Sequence, residues 1–266
     1  MNSRIYFGDS REVLPGLIDE FGEKITLMVT SPPYYVGRGY EDYLISWIDY
    51  WEMIEEVLGG VSSLIQPFGK IAINYADKYA NSKEFGRPLE ICYATHYSRI
   101  MSNHDLWARI IWNKNRLPDG ARHVTQKSRF EGQMRVAPDW EYIFVWRKRG
   151  EGKPPKKEVD MTKEQWKDYM KGIWDIDPVR RNPRIGNTKL ALFPIELPRR
   201  LIQMYTQPGD IIIDPFVGTG TTVKIARMLG RVGIGIEKNV EMRPTLEVNL
   251  QPDMFTEDVV QFIDWS

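Results

Sequence analysis

The chain has 266 residues, 42% of them hydrophobic, enough for one large α/β domain or two small ones around a real core. The opening MNSRIYFGDS lacks a signal-peptide layout, no apolar run nears the roughly 20 residues that span a bilayer, and Cys92 is the one cysteine, so a disulfide framework, a membrane span and a zinc site are all unexpected and a cytoplasmic location is expected. Lys+Arg and Asp+Glu are both 36, yet residues 109–130, 147–157 and 178–200 together hold 18 basic and 3 acidic residues, so the charge either forms a basic face suited to a nucleic acid or decorates solvated loops.

In chain order, Ile25 to Val29 is a nearly continuous apolar run ending at Pro32-Pro33 and reads as a buried strand. Leu44 to Leu58 has helical spacing and is expected to stop at Gly59-Gly60. Lys70 to Asn74 reads as a strand, Leu89 to Met101 as a helix that buries Cys92, and Leu106 to Trp112 as a strand. From Asn113 to Pro138 periodicity dissolves, Glu141 to Trp146 returns as a strand, and Arg147 to Val159 is a polar connection. Thr162-Lys163-Glu164-Gln165 reads as a capping box opening a helix to Met170. The remainder alternates regularly: helix Pro194 to Tyr205, strand Asp210 to Asp214, helix Thr221 to Leu229, strand Gly233 to Glu237, helix Glu241 to Asn249. This alternation predicts an α/β fold with an open, mostly parallel sheet and helices on both faces. The simplest organisation is one domain over 1–266, with residues 113–172 as a basic insertion and candidate target-recognition region.

Two loops follow predicted strands at the place where open α/β sheets bind ligands. The first is Asp214-Pro215-Phe216-Val217-Gly218-Thr219-Gly220-Thr221-Thr222. Gly218 and Gly220 let the backbone turn tightly and approach a ligand. The loop has neither a P-loop lysine nor a full GxGxxG, so a di- or triphosphate fits poorly, whereas Asp214 suits a cofactor bearing an ammonium and a sulfonium. Glu237, at the end of the next strand, can take both ribose hydroxyls of a nucleoside, or can simply be a solvated strand end. The second loop is Thr30-Ser31-Pro32-Pro33-Tyr34-Tyr35. One proline pair is expected in such a chain by chance at roughly 5% proline, and Pro154-Pro155 is another; position and the following aromatic give this one its meaning.

Together the loops resemble the S-adenosylmethionine-dependent DNA amino-methyltransferases. Ser31-Pro32-Pro33-Tyr34 matches their catalytic motif, Phe216-Val217-Gly218-Thr219-Gly220 their Phe-x-Gly-x-Gly cofactor motif, and the order of the two matches the beta group. Gly8-Asp9-Ser10 looks like the opening segment whose Asp contacts the cofactor adenine, and Leu192-Phe193-Pro194 like the segment over the methionine end. The resemblance implies a Rossmann-like methyltransferase fold with circularly permuted motif order. It further implies S-adenosyl-L-methionine held by Asp9, Thr30, Phe193, Asp214, Pro215, Phe216, Gly218, Gly220, Thr221 and Glu237, with catalysis by Ser31, Pro32, Pro33 and Tyr34. Double-stranded DNA is the implied substrate, a cognate restriction endonuclease an implied partner, and the protein is either a monomer or a homodimer.

Within that family Ser before Pro-Pro goes with cytosine N4 and Asp or Asn with adenine N6, although a Ser hydroxyl does not physically exclude adenine. An RNA methyltransferase and an inactive DNA-binding homologue are the rival readings. Methylation at C5 would need a cysteine nucleophile, for which Cys92 has no context. The DNA-binding candidates are Lys114, Arg116, Arg122, Lys127 and Arg129.

Overall fold

The computed structural model describes residues 1–34, 46–80, 89–114, 140–179, 184–185, 188–189, 193–252 and 259–265. Strands β1 (Arg4–Phe7), β2 (Ile25–Thr30), β3 (Ile65–Tyr75), β4 (Lys78–Ala80), β5 (Leu89–Ile91), β6 (Asp105–Asn113), β7 (Trp140–Arg147), β8 (Ile173–Asp175), β9 (Arg184–Ile185), β10 (Thr188–Lys189), β11 (Ile211–Asp214), β12 (Val232–Glu237) and β13 (Gln261–Asp264) alternate with helices. These are α1 (Ser10–Gly16), α2 (Ile18–Phe21), α3 (Trp47–Leu64), α4 (Tyr93–Ile100), α5 (Lys163–Tyr169), α6 (Glu196–Tyr205), α7 (Thr221–Met228) and α8 (Arg243–Asn249). Among the described residues the main sheet has nine strands in the order β13-β1-β12-β11-β2-β3-β7-β6-β8. It is parallel except where β7 runs antiparallel between β3 and β6.

A parallel sheet must be covered on both faces, and the strand residues show which helices do so. On β3, Ile71, Ile73 and Tyr75 turn toward a core formed with α1 to α4, while Ala72 turns toward one formed with α6 and α7. On β7, Phe144 and Trp146 face the first and Ile143 and Val145 the second. All six residues of β2 are buried, as the nearly continuous apolar run implied. No helix among the described residues is both long enough and apolar enough to cross a membrane.

Two sequence expectations need correction here. Helix α3 does not stop at Gly59-Gly60 but continues to Leu64. A Cβ on Gly60 would sit 3.1 Å from Leu14 Cβ, so this glycine lets α3 lie close against α1 rather than ending the helix. Nor is Leu89 to Met101 one helix: Leu89–Ile91 pairs with β4, and α4 begins only at Tyr93, whose backbone N–H donates to Asp77 Oδ1 at 2.9 Å. Cys92 is therefore the helix cap and is exposed, not part of the core. The capping box at Thr162 and Gln165 forms as expected, with both reciprocal hydrogen bonds present.

The glycines of β12 have a packing cause. A Cβ on Gly235 would lie 2.6 Å from Val217 Cγ2 and 2.7 Å from Ile5 Cδ1, so the loop after β11 can fold down onto the strand only over bare backbone. Gly235→Ala is expected to lower stability by about 1–3 kcal/mol through overpacking, read as a shifted denaturant midpoint with an unchanged slope.

Candidate active site

The carboxyl ends of β1, β12, β11 and β2 lie side by side, and each delivers a polar group to one region. From β11, Asp214 is buried; its Oδ1 accepts from Thr30 Oγ1 at 2.7 Å and from Phe216 N–H at 3.1 Å. The bond to Thr30 ties the start of the glycine loop to the start of the Ser31-Pro32-Pro33-Tyr34 loop. Asp214 thus sits beneath the loops as a brace. Burial pushes its carboxyl up to about 6, the bonds from Thr30 and Phe216 pulling the other way.

The glycine loop turns through Gly218 at φ +53° and Gly220 at φ +85°, values that an L side chain resists. Around Gly218 a Cβ would meet nothing nearer than 3.9 Å, so open space adjoins the loop there, whereas Gly220 is packed against Leu246. Thr221 begins α7, and Pro215 accepts from the buried Ser10 hydroxyl through its carbonyl. Phe216 is half-buried against the α1–α4 face.

Glu237 ends β12 with Oε2 accepting from Gly218 N–H at 3.0 Å and Oε1 from Asn239 N–H at 2.9 Å. Burial pushes this carboxyl up to about 7, opposed by those two N–H groups and reinforced by the nearby charge of Asp214. Asp9, after β1, caps α1 and pairs with Arg11 at 2.8 Å and Lys238 at 2.9 Å. Burial alone would raise Asp9, but its bonds from Arg11 and Lys238 win and hold it well below the usual carboxylate range. Phe193 stands outside this hydrogen-bonded set, packed on the α6–α7 core.

The stability consequence of a raised carboxyl has a definite sign. The folded state holds the Asp214 proton more tightly than the unfolded chain, so this group's contribution is fully present below about 3.8 and lost as pH rises through about 6. Urea unfolding of Asp214→Asn and wild type at pH 4 and pH 8 should show the variant gaining up to about 3 kcal/mol relative to wild type across that interval; a difference independent of pH would refute it.

The second loop leaves β2 at Thr30. Ser31 Oγ lies 3.5 Å from the Tyr34 hydroxyl, which donates to Glu141 Oε2 at 3.1 Å. Glu141, on β7, is buried, and its other oxygen accepts from Lys114 Nζ. The Tyr34 ring is half-buried and meets Tyr93 edge-on with centroids 6.4 Å apart. Tyr93 in turn meets Trp47 edge-on at 5.8 Å, and Trp51 stacks on His96 at 4.4 Å. Burial, then the Glu141 charge, hold the Tyr34 hydroxyl well above its usual range, so it keeps its proton.

Chain order does not announce Glu141 or Lys238, although Lys238 directly follows Glu237. Lys114, expected to reach DNA, has its ammonium turned to Glu141 and lies 4.8 Å over the Trp112 ring. Arg116, Arg122, Lys127 and Arg129 lie outside the described residues, as does Tyr35. Much of the basic window 147–157 is paired: Arg147 and Arg149 with Asp105 at 2.7 and 3.0 Å, Lys148 with Glu23 at 2.9 Å, Lys157 with Asp210 at 3.6 Å. In 178–200, Arg200 pairs with Asp168 at 2.9 Å and Glu196 at 3.0 Å.

The Ser31-Pro32-Pro33-Tyr34 loop and the glycine loop, joined by Thr30 and Asp214 on adjacent strands, coincide with a match to a family of known enzymes. Residues 25–247 match the family model described as DNA methylase. The chain belongs to the DNA methylase family. Among its relatives, the Type II methyltransferase M.MjaI of Methanocaldococcus jannaschii is 30% identical over 92% of this chain and 90% of its own. The Type II methyltransferase M.BglI of Bacillus subtilis is 26% identical over 87% and 80%. Of solved structures, TTHA0409 of Thermus thermophilus in complex with S-adenosyl-L-methionine superposes with a TM-score of 0.73 at 26% identity, covering 99% of each chain. The cytosine-N4-specific PvuII DNA methyltransferase gives 0.71 over 97% of this chain and 89% of its own; at 22% identity that likeness speaks for the fold. The nine-stranded sheet of this methylase is thus the Rossmann-like sheet of S-adenosylmethionine-dependent methyltransferases, as the sequence predicted.

Proposed function

We propose that this methylase transfers a methyl group from S-adenosyl-L-methionine to the N4 amine of a cytosine flipped out of duplex DNA. The observation that carries the reading is the Thr30–Asp214 bond, which holds Ser31-Pro32-Pro33-Tyr34 one strand away from the glycine loop. A donor and an acceptor of a transferred group need that proximity.

The residues fit the cofactor. Glu237 offers carboxylate oxygens at a strand end, Gly218 leaves open space beside them, and Asp9 lies across Lys238 from Glu237. Glu237 would take the ribose hydroxyls, Asp9 the adenine edge, and the 214–221 loop with Thr30 and Phe193 the methionine portion. When bound, the cofactor supplies an electrophilic methyl group on a sulfonium.

The chain's own work is on the amine. Its lone pair is delocalised into the base ring, which makes it a weak nucleophile. Ser31 Oγ and the Pro32 carbonyl would accept its two N–H groups, favouring the pyramidal form and the positive charge that develops during attack. Flipping the nucleotide costs a few kcal/mol, of which stacking on Tyr34 returns roughly 1–3 kcal/mol. Phosphate contacts would offset the rest, with residues 113–172 proposed as the target-reading region and Arg116, Arg122, Lys127 and Arg129 as its DNA contacts. Within that window residues 140–147 belong to the sheet as β7. Because the relatives are named Type II methyltransferases, a restriction endonuclease reading the same sequence is the proposed partner.

Ser31, a neutral acceptor at the motif's first position, is the ground for cytosine. The test is to incubate the protein with methyl-labelled cofactor and mixed-sequence duplex DNA, digest, and identify the labelled nucleoside. N4-methylcytosine is expected; N6-methyladenine would move the target to adenine, and absence of any labelled nucleoside would sink the activity.

A further inference from the structure

A serine hydroxyl is ambivalent: it can offer a lone pair to the substrate amine, or spend its geometry donating a hydrogen there and oppose the amine's own N–H groups. The site needs the first arrangement, and the serine alone does not choose it.

We propose that Glu141 is a positioning residue that fixes the direction of the hydrogen-bond chain Glu141–Tyr34–Ser31, so that Ser31 presents lone pairs to the target amine. This rests on the proposed role of the Ser31 loop. A carboxylate accepts and does not donate, so the Tyr34 hydroxyl, 3.1 Å from Glu141 Oε2, donates to it. That hydroxyl has one hydrogen, so toward Ser31 it presents its oxygen. The Ser31 hydrogen then points to Tyr34, and the lone pairs of Ser31 Oγ point elsewhere.

The distance between the two hydroxyls is 3.5 Å, longer than the usual 2.5–3.0 Å. Such bonds tighten when substrate fills a site. Lys114 completes the device by pairing with the other Glu141 oxygen, which balances the charge of a buried carboxylate. The antiparallel course of β7 makes this geometry available. It brings the amino end of that strand, where Glu141 lies, to the side of the sheet where the parallel strands end.

The device separates three variants. Tyr34→Phe keeps the ring and removes the link. Its single-turnover methylation rate should fall on the order of tenfold or more, the worth of one hydrogen bond made stronger in the transition state. Fluorescence of 2-aminopurine at the target position and affinity for S-adenosylmethionine should stay at wild-type values. Glu141→Gln, whose amide can donate as well as accept, should lower the rate similarly. The double variant should be no slower than Tyr34→Phe alone, because both residues act through one chain.

Wild-type turnover in Tyr34→Phe overturns the proposal even if every Glu141 variant fails to fold, and so does a double variant whose losses multiply. A slow Tyr34→Ala beside a normal Tyr34→Phe would overturn the chain yet leave base stacking intact. Failure of the wild type to methylate any DNA would instead remove the reading of the site itself.

Discussion

Tyr34→Ala is expected to reduce the methyl-transfer rate about a hundredfold or more while changing S-adenosylmethionine affinity less than about twofold. Loss of the ring removes a stacking surface worth roughly 1–3 kcal/mol per base, and loss of the hydroxyl removes the partner of both Ser31 and Glu141. The cofactor side keeps its own supports, since Glu237 lies on β12 and Gly218, Asp9 and Lys238 lie on the loops that follow β11, β1 and β12. Rapid-quench methylation of a duplex and calorimetric titration with the cofactor give the two readouts. Equal losses in both would contradict the division of labour between the two loops.

The second large effect belongs to Glu237. Replacing it with Ala removes the proposed acceptor for two ribose hydroxyls and leaves the Gly218 and Asn239 N–H groups without their present partner. With hydrogen bonds to a charged acceptor at about 1.5–3 kcal/mol each, cofactor affinity should fall about a hundredfold or more. The same residue predicts a pH profile. Its carboxyl is pushed up to about 7, so it is mostly protonated at pH 6 and mostly ionised at pH 8. The ionised form is the better acceptor, so affinity should rise with pH, by about tenfold between pH 6 and 8. A suitable probe is 5′-methylthioadenosine, which has the ribose hydroxyls but no amino acid to titrate. In Glu237→Gln the rise should vanish; a profile unchanged by that substitution would assign the titration to another group.

The parts of this site that are legible in the sequence share one property: they are local. The run Ile25 to Val29, the Ser31-Pro32-Pro33-Tyr34 turn and the glycines at 218 and 220 all express their role within a few residues. What is not legible depends on distant partners. Gly59-Gly60 looks like a stop, and only Leu14, on a different helix, reveals Gly60 as a point of close approach. Leu89 to Ile91 has helical spacing but pairs with Lys78–Ala80, and Asp77 sets where α4 starts. Glu141 is a single acid at the head of an apolar strand, indistinguishable by pattern from a solvated end. Its burial and its partners come from Tyr34 and Lys114, 107 and 27 residues away. Lys114 reads as part of a basic window for the same reason, because charge counted along a chain carries no record of internal pairing.

The aromatic pile behind Tyr34 also gives the protein its own optical probe. Tyr34 touches Tyr93, Tyr93 touches Trp47, and Trp51 lies flat on the His96 ring at 4.4 Å. Burial, and then the charge of Arg99, push the His96 imidazole below its usual range, so at neutral pH the indole faces an uncharged ring. A base arriving at Tyr34 changes the surroundings of a chromophore chain that ends in two indoles. Native tryptophan emission should therefore record occupation of the acceptor side in unlabelled protein on unlabelled DNA.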